Sequence, residues 1–439
     1  MGLPRPAPTQ LREWQNAAIT AWEANGRRGI VAAATGTGKS RVATAAAQLC
    51  NGPEWTLSVV VPRIVLLEQW LGVLQHDLSI SKNSIGTIGG RNPNLEFRHR
   101  KVVAVLDSAR DRLPDIANHW HHDGLKNLLI VDECHWAGTA RSADLFAAHF
   151  DATLGLSATP ERTDDGFEEV LIPALGDVVF RYVLRDALDD RVLAPLRLVN
   201  IYYDMDEAEA NEYRRLAEQI DAAIAALRDA NDDVPHATID VEAWLGKQGA
   251  TPTTKRLVVL FQQRRNLVGL SQARMGLLRE LIYLGIFEDR RSLVFNETIA
   301  QAEQAFTLIQ EAGIRTAVEH SKLSPDVREQ AFRRFRNGSV DVLVAVRTAD
   351  EGIDVPNANT AVFLSGSTGV RQRIQRIGRV TRPGGGTAVV VSLLARHTVE
   401  EQEVGRRDDL LVGADRVTHL FWSDPRTIQR LTDLLTSPD

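Results

Sequence analysis

Eight residues near the N-terminus restrict the possible folds of this chain more than any other segment. Residues 33–40 read Ala-Ala-Thr-Gly-Thr-Gly-Lys-Ser, between a short apolar stretch at 29–32 and an alanine-rich stretch at 41–49. The apolar stretch is typical of a buried strand, and the alanines favour a helix. A glycine loop between a strand and a helix presents backbone N–H groups and the positive end of the helix dipole to phosphates. The segment therefore predicts a nucleotide-triphosphate site.

The side chains of this loop have separate predicted roles. Gly36 and Gly38 allow sharp turns and a close approach of the backbone to the phosphates. Lys39 is expected to reach the β- and γ-phosphates, and Ser40 to hold Mg²⁺. The predicted nucleotide-binding residues of the loop are Thr35, Gly36, Thr37, Gly38, Lys39 and Ser40.

Two carboxylates form the second half of the predicted site. The stretch 128–131 is fully apolar and is followed directly by Asp132 and Glu133. In a parallel sheet, polar residues at the end of such a strand face the ligand crevice. We predict that Asp132 holds Mg²⁺ through water and that Glu133 polarises the attacking water. These residues therefore predict a nucleoside triphosphate and Mg²⁺ as cofactors.

Composition limits the class of protein. The 439 residues are enough for two or three domains, and contents of 44% hydrophobic and 25% charged residues are ordinary for a globular protein. No apolar run is long enough to cross a membrane, the proline-rich start lacks the pattern of a signal peptide, and two cysteines give no disulfide framework. We therefore expect a cytoplasmic protein without a membrane partner. The net charge of −6 means that any nucleic acid must bind in a local positive groove.

Alternating strand and helix patterns predict two α/β layers, each a parallel sheet with helices on both faces. The first set of predicted strands is 29–32, 58–61, 102–106, 128–131 and 153–156. The second set is 293–295, 315–318, 342–346, 361–364 and 388–393. We place a first domain at 1–200, a helical insertion or linker at 201–286, a second domain at 287–400 and a C-terminal helical tail at 401–439.

The segment between the two sets of strands has a different character. Apolar residues recur at helical spacing over 206–230, prolines and glycines within 231–254 predict a loop or hinge, and 267–284 again predicts a helix. One interpretation is an arm that contacts nucleic acid. The other is that these helices only pack across the two domains.

With these elements in place, the chain resembles the superfamily 2 helicases and translocases from about residue 11 to residue 394. The sequence Asp-Glu-Cys-His at 132–135 is similar to the second motif of that family. The sequence Leu-Arg-Glu-Trp-Gln at 11–15 is similar to the family segment whose glutamine, here Gln15, reads adenine. The resemblance implies two tandem RecA-like domains and a site for ATP between them.

Two further segments are similar to family motifs that act on nucleic acid. The segment 62–70 begins Pro-Arg and ends Gln-Trp, and it resembles the motif that touches the nucleic-acid backbone. The sequence Ser-Ala-Thr at 157–159 resembles the motif that couples hydrolysis to strand movement. The residues to which the resemblance gives contact or coupling roles are Pro62, Arg63, His135, Ser157, Ala158 and Thr159.

The C-terminal half resembles the remaining family motifs. The sequence 350–356 is similar to the fifth motif, which implies that Gly352 and Asp354 contact the nucleotide. The sequence 375–382 is similar to the sixth motif. This similarity implies catalytic roles for Gln375, Arg379 and Arg382, with the two arginines stabilising the transition-state charge across the domain interface.

The implied activity is ATP hydrolysis that drives movement along nucleic acid through cycles of domain closure. The Pro-Arg and Gln-Trp pairs and the fifth motif look most like those of DNA translocases in repair and restriction systems, so DNA is expected rather than RNA. The alternative is an ATP-gated clamp or partner-binding switch without directional movement, which the same motifs would serve. The short segment after residue 395 favours a partner protein that supplies a nuclease or targeting function.

Overall fold

Two seven-stranded parallel sheets organise the chain. They are seen in a computed structural model that describes residues 10–90, 93–95, 99–162, 164–231, 233–236, 238–246, 251–346, 358–364, 369–383 and 386–436. The chain divides into two units, Met1–Ala187 and Leu188–Asp439, and each unit is built around one sheet. The predicted α/β fold class with two parallel sheets is confirmed.

The first sheet has the strand order β3-β4-β2-β5-β6-β1-β7, and all of its neighbouring strands are parallel. Every residue of β2 and β6 is buried, as expected for strands that are covered on both faces. In chain order the strands are β1 (Arg28–Ala33), β2 (Trp55–Val61), β3 (Ile85–Ile88), β4 (Lys101–Val105), β5 (Lys126–Asp132), β6 (Ala152–Ser157) and β7 (Val178–Tyr182).

Helices cover this sheet, and an apolar cluster that includes Leu113 and Trp120 packs against its strands. The helices are α1 (Glu13–Ala24), α2 (Lys39–Leu49), α3 (Ile64–His76), α4 (Leu106–His122), α5 (Ile172–Leu175) and α6 (Leu184–Asp189). Shorter helical turns lie at Lys82–Ser84, Cys134–Ala137, Ala140–Ala147 and Phe167–Leu171.

The second sheet has the strand order β10-β11-β9-β12-β13-β8-β14, again with parallel neighbours throughout. All eight residues of one inner strand, Ala388–Ala395, are buried. The strands are β8 (Leu196–Tyr203), β9 (Ser292–Asn296), β10 (Thr316–Glu319), β11 (Val342–Val346), β12 (Thr360–Phe363), β13 (Ala388–Ala395) and β14 (Val417–Phe421).

Nine described helices belong to the second unit. They are α7 (Glu207–Arg228), α8 (Thr238–Leu245), α9 (Pro252–Gly269), α10 (Gln272–Tyr283), α11 (Ile299–Glu311), α12 (Pro325–Arg336), α13 (Val370–Val380), α14 (Val399–Val412) and α15 (Thr427–Thr436). None of the helices within the described ranges is long and apolar enough to cross a membrane.

The domain boundaries differ from the predicted ones. The first domain was expected to end at residue 200, but Leu196–Tyr203 pairs with β13 and β14 inside the second sheet. The boundary therefore lies earlier, between Ala187 and Leu188. The segment 401–439 is not a tail, because it supplies β14 at the edge of the second sheet.

The helical segment between β8 and β9 is also only partly as predicted. The expected loop at 231–254 contains α8, and the expected helix at 267–284 is divided between the end of α9 and α10. Helices α7, α8 and α9 share an apolar cluster of their own, which includes Ile220, Val241 and Phe261. Helix α10 instead packs into the core of the second sheet. Helices α7, α8 and α9 thus form a small helical layer with its own core, and α10 belongs to the core of the second sheet.

A buried ion pair connects the C-terminal segment to the rest of the second unit. The guanidinium of Arg373 on α13 forms a two-point ion pair with Asp408 on α14, and it also donates to Ser392 Oγ over 2.8 Å. Asn200 Nδ2 on β8 donates to the same Asp408 carboxylate over 2.9 Å. Both Arg373 and Asp408 are almost completely buried. The pair therefore holds α13, α14 and the sheet together.

Replacing Asp408 by Ala should destabilise the second unit strongly, by about 3–5 kcal/mol, because the Arg373 charge would remain buried without its partner. The free energy of unfolding from urea denaturation measures this. Asp424→Ala is the matched control, because Asp424 forms a solvent-exposed pair with Arg426 and its loss should leave the midpoint unchanged. Equal midpoints for the Asp408 variant and the unaltered chain would contradict the structural role of this pair.

Candidate nucleotide site

Three neighbouring strands bring the predicted motifs of the first unit to one edge of its sheet. The order β5-β6-β1 places the residues after β1 beside the ends of β6 and β5. Asp132 at the end of β5 is in register with Leu156, and Ala32 of β1 is in register with Ser157 at the end of β6. The loop, the Asp-Glu pair and the Ser-Ala-Thr segment therefore lie together, although up to about 120 residues of chain separate them.

The loop at 33–40 is held through its carbonyl groups. Lys39 Nζ donates to Ala33 O over 2.9 Å, and Thr37 Oγ1 donates to Ala34 O over 2.7 Å. From α1 and the residue before it, Arg12 Nη1 donates to Thr37 O over 2.9 Å and Gln15 Nε2 to Gly38 O over 3.2 Å. With these four carbonyls bonded to the protein, the glycine turn and the first turn of α2 are left to offer N–H groups to an anion.

Gly38 is required at its position for two reasons. It precedes α2 with φ +96°, a conformation that strains other residues, and a Cβ atom there would stand 3.0 Å from Gln15 Nε2. Gln15 itself is fully buried, and its Oε1 accepts from Arg12 N over 2.9 Å. The predicted adenine-reading glutamine therefore bonds to the phosphate loop and to the start of α1.

The ammonium of Lys39 lies between the loop and the carboxylate pair. Its Nζ is 3.9 Å from Glu133 Oε1, and both side chains are mostly buried. Glu133 has φ +46°, a left-handed conformation that costs a residue with a side chain about 1–2 kcal/mol. Such strain is typical of functional positions. The predicted phosphate-binding lysine and the predicted catalytic glutamate are therefore brought together.

The carboxylate of Asp132 accepts hydrogen bonds from two donors among the described residues. Trp70 Nε1 on α3 donates to Asp132 Oδ2 over 2.8 Å, and the Glu133 backbone N–H donates to Oδ1 over 3.0 Å. Trp70 is 3% exposed. The contact between Trp70 and Asp132 was not predicted from the sequence, where Trp70 was included in the segment that resembles a nucleic-acid motif.

His135 connects the carboxylate pair to the Ser-Ala-Thr segment. This buried side chain places its Nδ1 3.0 Å from Ser157 Oγ and 3.5 Å from Glu133 Oε2. Ser157 Oγ in turn accepts from the Thr159 backbone N–H over 3.2 Å. Arg162, which the sequence reading did not include among the site residues, donates to the His135 carbonyl and pairs with Asp164. His135, Ser157 and Thr159, which have predicted coupling roles, thus lie in contact with one another beside Glu133.

Arg63 and Trp136 form an exposed pair at the same edge of the sheet. Pro62 and Arg63 follow directly after β2, and the Arg63 guanidinium lies 5.2 Å from the centre of the Trp136 ring. Trp136 is 38% exposed, so it does not fill an internal pocket. The pair offers solvent a cationic and an aromatic surface.

The predicted residues of the second unit lie on α13 and just after it. Gln375 and Arg379 are one helical turn apart and mostly buried, and Arg382 follows the end of the helix. Two other arginines of the helix have structural contacts: Arg373 pairs with Asp408, and Arg376 lies 5.0 Å from the centre of the Phe295 ring. The predicted nucleotide contacts Gly352 and Asp354 lie outside the described residues.

The residues of the first unit fit ATP and Mg²⁺. Thr35 Oγ1 in the phosphate loop is buried and has no hydrogen-bond partner among the described residues. The Ser40 hydroxyl at the start of α2 and the Asp132 carboxylate are the hard oxygen ligands that Mg²⁺ prefers. The Lys39 ammonium supplies a positive charge for phosphate oxygens.

This loop, this carboxylate pair and two parallel sheets define a P-loop ATPase. Residues 8–162 match the family described as type III restriction enzyme, res subunit, and residues 273–384 match the helicase conserved C-terminal domain. Each matched region contains motifs that the sequence analysis assigned to the superfamily 2 helicases and translocases. Both parts of the chain therefore resemble the superfamily 2 helicases and translocases, and its two parallel sheets match the tandem RecA-like domains of that fold.

Individual relatives agree with this family. The chain is 28% identical over 403 residues to a Sulfurisphaera tokodaii protein named DNA 3'-5' translocase XPB2, covering 91% of this chain and 84% of the relative. It is 25% identical over 410 residues to the DNA 3'-5' helicase XPB of Mycobacterium tuberculosis, covering 92% of this chain but only 64% of that protein. The solved structure of S. cerevisiae Dbp5 bound to RNA and ADP BeF3 has a similar fold, with a TM-score of 0.60 at 15% identity over 97% of this chain and 93% of that one.

Replacing Gly38 by Ala should weaken ATP binding by about tenfold, because a strain of about 1–2 kcal/mol and the contact with Gln15 would displace the loop. Equilibrium titration with a fluorescent ATP analogue measures this. Gly124→Ala is the control, because Gly124 also has positive φ, +76°, but no atom lies within 4 Å of an added Cβ. ATP affinity that is unchanged in Gly38→Ala would show that the loop does not hold the nucleotide.

Proposed function

We propose that this protein is an ATP-dependent DNA translocase or helicase that moves in the 3'-to-5' direction. The observation that carries the proposal is the meeting of Lys39, Asp132 and Glu133 at the carboxyl edge of the first sheet. DNA as the substrate and the direction of movement are supported by the names of the relatives that align along nine tenths of this chain. ATP hydrolysis supplies the energy for movement.

The hydrolytic chemistry follows from the residues of the first unit. In the proposal Lys39 binds the β- and γ-phosphates, while Ser40 and Asp132 hold Mg²⁺. When bound there, Mg²⁺ would supply positive charge that offsets the charge of the phosphates. Glu133 accepts a hydrogen bond from the attacking water and orients it towards the γ-phosphate. The loop N–H groups bind the remaining phosphate oxygens.

The second unit contributes arginines in this proposal. Arg379 and Arg382 stabilise the transition-state charge, and Gln375 orients the reacting groups, as the family resemblance implies. Support comes from the position of Gln375 and Arg379 on α13, a helix that the buried Arg373–Asp408 pair fixes to its own unit. Gly352 and Asp354 are proposed to contact the nucleotide on the same resemblance.

Nucleic acid is proposed to contact Pro62, Arg63 and the exposed Trp136 ring. A guanidinium and an aromatic face bind phosphates and bases of any sequence, so binding should depend on salt and little on sequence. His135 would transmit the state of Glu133 to Ser157, because its Nδ1 lies 3.5 Å from Glu133 Oε2 and 3.0 Å from Ser157 Oγ. Ala158 and Thr159 belong to the same Ser-Ala-Thr segment as Ser157.

Three further expectations from the sequence are part of the proposal. DNA is preferred to RNA, a partner protein supplies a nuclease or targeting function, and the protein works in the cytoplasm, where ATP and DNA are both present. The clamp without directional movement is not favoured, because the relatives that align along most of the chain are named as translocases and helicases.

The ATPase rate should rise severalfold with double-stranded or single-stranded DNA and less with matched RNA. Glu133→Gln should retain ATP binding but lose hydrolysis, because the water loses its acceptor. Steady-state phosphate release with each nucleic acid at one salt concentration measures both effects.

Displacement of a triplex-forming strand from either end of a duplex then reports movement and direction. Stimulation by RNA alone would contradict the DNA assignment, and stimulated hydrolysis without displacement would favour the clamp.

A further inference from the structure

A buried tryptophan on α3 bonds to the carboxylate that is proposed to hold the metal. Trp70 Nε1 donates to Asp132 Oδ2 over 2.8 Å. The other oxygen of Asp132 accepts from the Glu133 N–H over 3.0 Å. Within the part of the chain that the structure describes, each carboxylate oxygen thus has one fixed donor, and an ionised carboxylate offers about four acceptor positions in all. The remaining positions are available to a metal or its water shell.

The burial of Trp70 distinguishes it from the exposed start of the segment 62–70, which resembles a nucleic-acid-binding motif. The side chain is 3% exposed, whereas Arg63, just before the same helix, is exposed. The indole N–H is the only polar group of a tryptophan side chain, and here it is directed at Asp132. Trp70 therefore cannot bind a nucleic-acid backbone while this hydrogen bond is made.

We propose that Trp70 is a positioning residue that fixes the rotamer of Asp132, so that its free lone pairs face the Mg²⁺ of bound ATP. The proposal rests on the proposed function, because it concerns the same nucleotide site. Partners that orient a metal-binding carboxylate change metal affinity or activity by about 10–100-fold when they are removed. A side chain that only filled the core would have no such effect on metal dependence.

The position of Trp70 on α3 adds a consequence for coupling. Helix α3 begins immediately after Arg63, and Trp70 lies seven residues further, about 10 Å along the helix axis. One short helix therefore starts at the proposed nucleic-acid contact and bonds to the proposed metal ligand. Movement of this helix would reach Asp132 through a single hydrogen bond.

Trp70→Phe tests the proposal, because it removes the N–H and retains most of the buried aromatic surface. Trp22→Phe is the matched control: Trp22 is fully buried in the same unit, and its Nε1 donates to Thr153 O over the same 2.8 Å. The full-length protein is titrated with a fluorescent ATP analogue, once in EDTA and once in Mg²⁺. The ratio of the two dissociation constants reports the metal-dependent part of binding without relying on turnover.

We expect Trp70→Phe to reduce the Mg²⁺-dependent tightening by about tenfold, with binding in EDTA unchanged. Trp22→Phe should behave like the unaltered protein in both titrations. Equal Mg²⁺ dependence in all three proteins would overturn the positioning role while leaving the nucleotide site intact. Equal losses in both variants would also overturn it, because the effect would then be general destabilisation. If the unaltered protein shows no Mg²⁺-dependent binding, the proposed function fails, and this inference fails with it.

A measurement on the unaltered protein covers the case in which Trp70→Phe does not fold. In protein labelled with ¹⁵N-tryptophan, the Trp70 indole N–H resonance should shift when Mg²⁺ is added to the ATP complex, and the Trp22 resonance should not. A Trp70 resonance that does not respond to Mg²⁺ would overturn the proposal.

Discussion

The site depends on one constraint, the parallel pairing of β5, β6 and β1. All strands of a parallel sheet end at the same edge, so residues that follow three neighbouring strands must meet there. In this chain those residues are the phosphate loop, the Asp132–Glu133 pair and the segment from Ser157. The strands are apolar and covered on both faces, so sliding a strand along its neighbours would draw the polar residues at its end into the buried sheet. The hydrophobic pattern of the strands thereby fixes the geometry of a polar site.

The second unit uses the same sheet architecture but holds its helices with buried charges. Arg373 on α13 pairs with Asp408 on α14, and Arg274 on α10 pairs with Glu400 on α14 and donates to Leu364 O over 2.5 Å. Buried pairs of this kind add little net stability compared with apolar contacts, but breaking one is costly. They fix which helix faces lie inwards. The Arg373–Asp408 pair fixes the orientation of α13, a helix rich in arginine. Arg373 therefore has a structural role, whereas Arg379 on the same helix is proposed to contact the nucleotide.

The sequence predicted the central strands well, because they are continuous apolar runs between loop signals. The strands that it missed at the sheet edges, β3, β7 and β14, are short or only partly buried, and a short strand with polar residues has little periodic signal. Strand β8, the second strand from the edge of its sheet, was missed for another reason. It precedes the helical segment in the chain but inserts between β13 and β14, and only tertiary pairing shows that it belongs to the second sheet.

The candidate site was predictable where residues belong to short motifs that directly follow apolar strands, as Lys39 and Glu133 do. Contacts that join distant segments were not predictable, because neither partner has a sequence pattern that specifies the other. The bond from Trp70 to Asp132, the pair of His135 and Ser157 and the stacking of Arg63 on Trp136 are all of this kind. They depend on which side chains the sheet edge brings within hydrogen-bonding distance.

The central claim is that the loop at 33–40 binds the phosphates of ATP, and Lys39→Ala tests it most directly. The dissociation constant of a fluorescent ATP analogue should rise by about 10–100-fold, the loss expected for a charge-assisted hydrogen bond. Lys82→Ala, which removes an exposed lysine of the same unit, should leave the affinity unchanged. If Lys39→Ala binds the nucleotide as tightly as the unaltered protein does, the loop is not the phosphate site and the account is wrong.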